Sequence, residues 1–121
     1  MIPKFRAWHK GAKKMYTVLA IDFTRNQIEI DTEVPSKHLA NECVIMQVTP
    51  FEDMFGTPIY EDDIITDSRG SLYQVQRDES SGTWLANQTL LNTLLNNHAL
   101  VILGNIHRNA ELLLAFAGFE K

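Results

Sequence analysis

Up to Ala86 the chain is written in short apolar runs, each broken by Gly, Pro, Asn or Asp, and only beyond Ala86 do apolar residues take up a helical spacing. The clearest run is Gln27 to Asp31, where Ile28 and Ile30 alternate with Gln27, Glu29 and Asp31. Successive side chains of an extended strand point to opposite faces, so this run offers one face to a core and one to water. A series of such strands joined by tight turns restricts the fold to mainly β, or α+β with a partly closed barrel.

Taken in order, Pro3 to His9 places Phe5 and Ala7 on one face of a strand and Lys4, Arg6 and Trp8 on the other. A polar turn over His9 to Lys14 leads to a strand over Met15 to Phe23, and a turn at Thr24, Arg25 and Asn26 leads to Gln27 to Asp31. These make an antiparallel meander. Thr32 to Glu42, with Pro35, is expected to be a loop with a short helical turn, and Cys43 to Val48 a strand buried on both faces. In the stretch that follows, Gly56 is free to take positive φ, and Thr57 before Pro58 is driven to extended conformations. Further strands are expected at Ile64 to Thr66, Ser71 to Arg77, Thr83 to Ala86 and Ala99 to Leu103. Asn87 can cap a helix whose Leu90, Leu91, Leu94 and Leu95 share one face, and Ala110 to Phe116 reads as a second short helix. The organisation expected is one domain over 1–121, with a first meander over 1–48 and a small-barrel part with short helices over 49–121.

With 121 residues and 45% hydrophobic content, a chain of this size buries a core sufficient to fold without metal or disulfides. The single cysteine, Cys43, beside Val44 and Ile45, reads as a small core residue in a reducing compartment. No apolar run is long enough to span a bilayer, and MIPKFRAWHK is too polar for a secretory core, so the expected location is the cytoplasm, with no membrane partner. The formal net charge of -4 argues against binding nucleic acid over the whole surface. The charge is uneven, however. Lys4, Arg6, Lys10, Lys13 and Lys14 open the chain with no acid among them, while Glu52, Asp53, Glu61, Asp62 and Asp63 form a base-free segment, and the two segments are able to attract each other.

No assembled catalytic set is visible. Glu61, Asp62, Asp63 and Asp67 are the most enzyme-like cluster, but neighbouring residues of an extended segment point apart, and no calcium-loop pattern accompanies them. They read as a structural turn. His9, His38, His98 and His107 lack the short spacings of a zinc pair, so no metal and no cofactor is expected. The chain therefore reads as a non-enzymatic binding module. Lys4, Arg6, Trp8, Lys10, Lys13 and Lys14 combine phosphate-compatible charge with an aromatic ring, which points to nucleic acid as first ligand; Tyr73 and Trp84 add stacking if exposed. The competing reading is a protein-interaction or self-assembling module, docking a partner protein or a second copy through Met54 and Phe55 at a turn tip. The leucine face at 90 to 95 closes the chain's own core in the plainer reading.

Three blocks carry a family resemblance. They are Lys4-Phe5-Arg6-Ala7-Trp8 with Lys13-Lys14-Met15; Met46-Gln47 with Thr49, Gly56, Ile59-Tyr60-Glu61 and Asp63-Ile64-Ile65; and Ile102, Gly104-Asn105-Ile106, Asn109 and Glu111-Leu112-Leu113. In this order and spacing the chain resembles the YopX family of small bacteriophage and prophage proteins. The departures are Thr49-Pro50 for a usual Thr-Gly, Met54-Phe55-Gly56 for a Lys-Asn-Gly-like turn, and Glu61-Asp62-Asp63 for Glu-Gly-Asp. An Asp at 62 is able to enter the left-handed region at a cost. The resemblance implies a mostly β fold with an SH3-like small barrel in the second half and a phage or prophage origin. It implies no established activity, with nucleic-acid binding as the suggestion that goes with it.

Overall fold

The computed structural model describes residues 4–32 and 36–112. The chain divides into two compact units, Met1–Val48 and Thr49–Lys121. The fold is mainly β, built from two antiparallel sheets.

In the first unit β1 (Phe5–His9), β2 (Lys14–Asp22) and β3 (Gln27–Ile30) form the expected meander, followed by β4 (Ser36–Leu39), a 3-10 turn over Ala40–Glu42, and β5 (Cys43–Glu52). The strand order is β4-β3-β2-β1-β5, so β1 is an interior strand between β2 and β5. Ala7, Ile28, Ile30 and Cys43 form the core, with Tyr16, Val18, Ile21 and Ile45 packed against it. The alternation of Gln27 to Asp31 thus does as its pattern dictates. A bulge at Leu19 shifts the β2–β3 register and leaves that side chain 49% exposed.

The expected loop over Thr32 to Glu42 is instead largely ordered. Its strand β4 pairs with β3, with Ile28 opposite His38 and Glu29 opposite Lys37. A short polar segment lacks the apolar alternation that marks a half-buried strand, and polar, charged residues suit a strand at a sheet edge. Residues 33–35, including Pro35, lie outside the described residues, as does Pro3, with which the first expected strand opens.

β5 runs past the unit boundary, through Pro50, and its far end turns into β6 (Pro58–Tyr60). The second unit continues with β7 (Asp63–Thr66), β8 (Leu72–Arg77), β9 (Trp84–Ala86), β10 (Thr89–Leu90), α1 (Leu91–Asn97) and β11 (Val101–Asn105). These five strands lie in the order β10-β9-β8-β7-β11. Ile59, Ile65, Val75, Ala86, Leu91, Leu94 and Leu100 make its core, flanked by Phe51, Tyr73, Trp84, Leu95 and Ile102. Full burial of each such aliphatic side chain contributes roughly 1.5–3 kcal/mol, so this cluster is the main source of the unit's stability.

The SH3-like barrel is not formed by the described residues: the five-stranded sheet has β10 at one end and β11 at the other, with no pairing that closes it. Asn87 is also not the helix cap. It sits at φ 56 in the turn between β9 and β10, accepting from Gln74 N–H through Oδ1 and donating from Nδ2 to the Leu72 carbonyl. Leu90 occupies the N-cap without a side-chain bond, and α1 is held by the burial of Leu91 and Leu94. A helical turn begins at Ala110, and the part of the expected helix beyond Leu112 lies outside the described residues.

Candidate functional site

The basic segment is reorganised by the interior position of β1. Lys10, Lys13 and Lys14 are exposed on the hairpin that joins β1 to β2. Lys13 takes φ 55 and donates its N–H to the His9 carbonyl, Ala12 N–H reaches His9 Nδ1, and Lys10 Nζ donates to the Asn41 carbonyl at 3.0 Å. Lys4 is exposed too, but it precedes the other end of the strand, roughly 17 Å from His9 at the usual rise per residue. Arg6 is half-buried, and Trp8 is only 8% exposed. A strand paired on both sides and covered on both faces has no open face on which to display an indole. The expectation of Trp8 as a stacking platform is therefore corrected, and three lysines at the hairpin tip remain as a cluster of accessible charge. Tyr73 and Trp84 are half-buried against the core of the second unit, and Tyr73 is further engaged through its hydroxyl.

The Met54–Phe55 turn is placed as expected, at an exposed tip, with Met54 57% and Phe55 72% exposed. Its backbone is held by Asp53, a nearly buried residue whose Oδ1 accepts from Phe55 N–H at 2.9 Å and Thr57 N–H at 3.0 Å. Asp53 N–H donates to the Thr57 carbonyl, Gly56 N–H to the Asp53 carbonyl, and Met54 N–H to the Leu100 carbonyl at 2.8 Å. Gly56 has φ 80, the positive value that a residue with a side chain adopts at a cost. Two large apolar side chains thus project from a turn whose main chain is fixed.

The acidic cluster resolves into separate structural roles. Asp63 Oδ2 accepts from Tyr60 N–H. Asp62, at φ 70, carries Oδ2 3.0 Å from His107 Nε2. The Asp67 carboxylate receives Arg69 Nη2 at 2.7 Å and Nε at 3.1 Å, the Tyr73 hydroxyl at 2.8 Å, and the N–H groups of Arg69 and Ser71. Burial alone raises the pKa of such a group, but the Arg69 bonds first, then Tyr73 and the two amides, hold it well below the usual carboxylate range. Asp63 and Asp67 each hold a turn, and Asp62 meets His107.

The fold also assembles a group that spacing did not reveal. His9, His38 and Glu42 each offer one donor atom, all within 4.8 Å of one another. His38 and Glu42 stand four residues apart across the 3-10 turn, a spacing visible in sequence. His9 joins them because it lies opposite Cys43 in the β1–β5 register, which sequence alone does not supply. Cys43 itself is buried, and burial, reinforced by Glu42, raises its thiol pKa against the opposing effect of Lys10. A nucleophile requires the thiolate, so this cysteine is a packing residue.

No helix among the described residues is long and apolar enough to cross a membrane. Among solved structures, the chain is similar to protein EF1440 from Enterococcus faecalis, known from a crystal structure, with a TM-score of 0.66 and 27% identity over 93% of this chain and 99% of that one. No curated protein matches it. The family model described as YopX protein matches residues 4–114, a span that takes in the β1–β2 hairpin, the Met54–Phe55 turn and the bulge of β11 at Leu103. The chain belongs to the YopX protein family.

Proposed function

We propose that this protein is a non-enzymatic accessory protein of a phage or prophage, acting in the bacterial cytoplasm, and that it works by docking a phage or host protein through Met54 and Phe55. The observation that carries this reading is the pairing of large exposed apolar side chains with a hydrogen-bonded turn. A rigid main chain spares the partner much of the ordering cost, and an aromatic on such a tip is the kind of residue that dominates binding energy. A photo-crosslinking residue placed at position 55 in the producing cell tests it. One discrete protein adduct, or a homodimer, is the expected result. A diffuse pattern equal to that from the exposed position of Glu79 contradicts it.

A second reading, nucleic-acid binding, is favoured by the exposed Lys10, Lys13 and Lys14 at one hairpin tip. With Trp8 buried, this mode rests on phosphate contacts alone, so its affinity is electrostatic. Titration against single- and double-stranded DNA and RNA at several salt concentrations then shows binding that falls as salt rises, with a slope reduced by about one unit for each lysine replaced by glutamine. Affinity that ignores salt, or no binding at low salt, removes this reading.

A further inference from the structure

At one edge of the first unit, His9 from the end of β1, His38 from β4 and Glu42 from the 3-10 turn converge on a common point. His38 Nδ1 lies 3.2 Å and His9 Nε2 3.8 Å from the same atom, Glu42 Oε2. The two rings meet edge to face with centroids 4.8 Å apart. The side chains are neither sealed nor fully open, at 18%, 25% and 44% exposure for His9, His38 and Glu42. We infer that His9, His38 and Glu42 form a binding site for a divalent transition-metal ion, for which zinc is the best match.

The donor chemistry selects the ion. Two imidazole nitrogens with one carboxylate oxygen suit zinc and its first-row neighbours, whereas magnesium and calcium require oxygen ligands. Geometry agrees. Ligand atoms about 2.0–2.2 Å from a tetrahedral zinc stand about 3.3–3.5 Å from one another. The Glu42 edges, at 3.2 and 3.8 Å, bracket that value, and the remaining edge needs a modest rotation of the His9 or His38 ring. Three protein ligands leave a fourth position for water. The bound ion ties the end of β1 to the β4 segment and the 3-10 turn, so its role is to fasten an edge strand.

Hydrogen bonds already made at the site oppose the ion: the one between His38 Nδ1 and Glu42 Oε2 gives way to it, and His9 accepts another at its second nitrogen. Ala12 N–H donates to His9 Nδ1 at 3.0 Å, so the neutral ring carries its proton on Nε2, facing Glu42. Metal at Nε2 requires that proton to move to Nδ1, which releases Ala12 N–H to solvent without changing the charge of the ring. The Ala12 amide is therefore a direct reporter of site occupancy, and affinity is lower than at sites whose second nitrogen finds an acceptor.

Calorimetric titration of the chelator-treated full chain with zinc chloride tests the site. One ion per chain is expected, with binding weakened at least about tenfold in His38→Ala and in Glu42→Gln and unchanged in His98→Ala. Glu42→Gln alters a half-exposed side chain and keeps the test valid if His38→Ala fails to fold. Zinc is also expected to shift the Ala12 amide resonance, and cobalt to give the visible absorption of a tetrahedral site. No binding by the wild type with zinc in large excess, or equal binding by wild type and Glu42→Gln, overturns the inference.

Discussion

Gly104 shows how a single residue is dictated by its neighbour. A Cβ added there would overlap Asn109 Oδ1, the atom that accepts from Asn105 N–H. Gly104→Ala therefore forces the Asn109 side chain away and destabilises by about 1–3 kcal/mol. Urea unfolding of Gly104→Ala, Asn109→Ala and the double variant checks this. The double variant is expected to lose less than the two single changes summed, and strict additivity contradicts the coupling. Asp62 makes the complementary case: it holds φ 70, a value that favours Gly, with a side chain that finds His107. Asp67 sets a pH dependence. Its folded-state pKa is lowered, so its contribution is complete above the unfolded carboxylate value of about 3.9 and is lost as pH falls from there through the folded value. The stability gap between wild type and Asp67→Asn is therefore expected to narrow on acidification. Parallel denaturation curves from neutral to acid pH contradict that assignment.

At the scale of elements, the turn over residues 53–57 gains its rigidity from Asp53. Asp53→Ala leaves the Phe55 and Thr57 N–H groups without their acceptor, so thermal melting is expected to report a loss of about 1–3 kcal/mol. The same variant is expected to give a weaker crosslink from position 55, because the tip is no longer preorganised. Which elements were legible in the sequence follows from where their determinants lie. Gln27 to Ile30 carries its own alternation, and Gly56 its own φ, so both were legible locally. β4 was not, because its backbone bonds come from β3, and neither was the role of Asn87, whose partners lie in β8. For Trp8 alternation assigns only the face it shares with Lys4 and Arg6, which leaves a stacking ring and the cap of a small core both open; its 8% exposure depends on the packing over that face, which no local pattern records.

For the molecule as a whole, the mainly β fold was legible because short runs and turn residues recur throughout the chain, whereas barrel closure depends on pairing between strands that no local pattern records. The same holds for the candidate sites: exposure at Met54 and Phe55 was readable from a turn, but the meeting of His9 with His38 and Glu42 required the β1–β5 register. Docking through the exposed, hydrogen-bonded turn is the action proposed for this protein. Its most direct test combines binding and stability in one variant, Met54→Ser with Phe55→Ser. Because both side chains are exposed, the melting temperature is expected to stay near that of the wild type, while the adduct formed by a crosslinker placed at the neighbouring position, Thr57, is lost from the producing cell. An undiminished adduct in the folded double variant contradicts the claim.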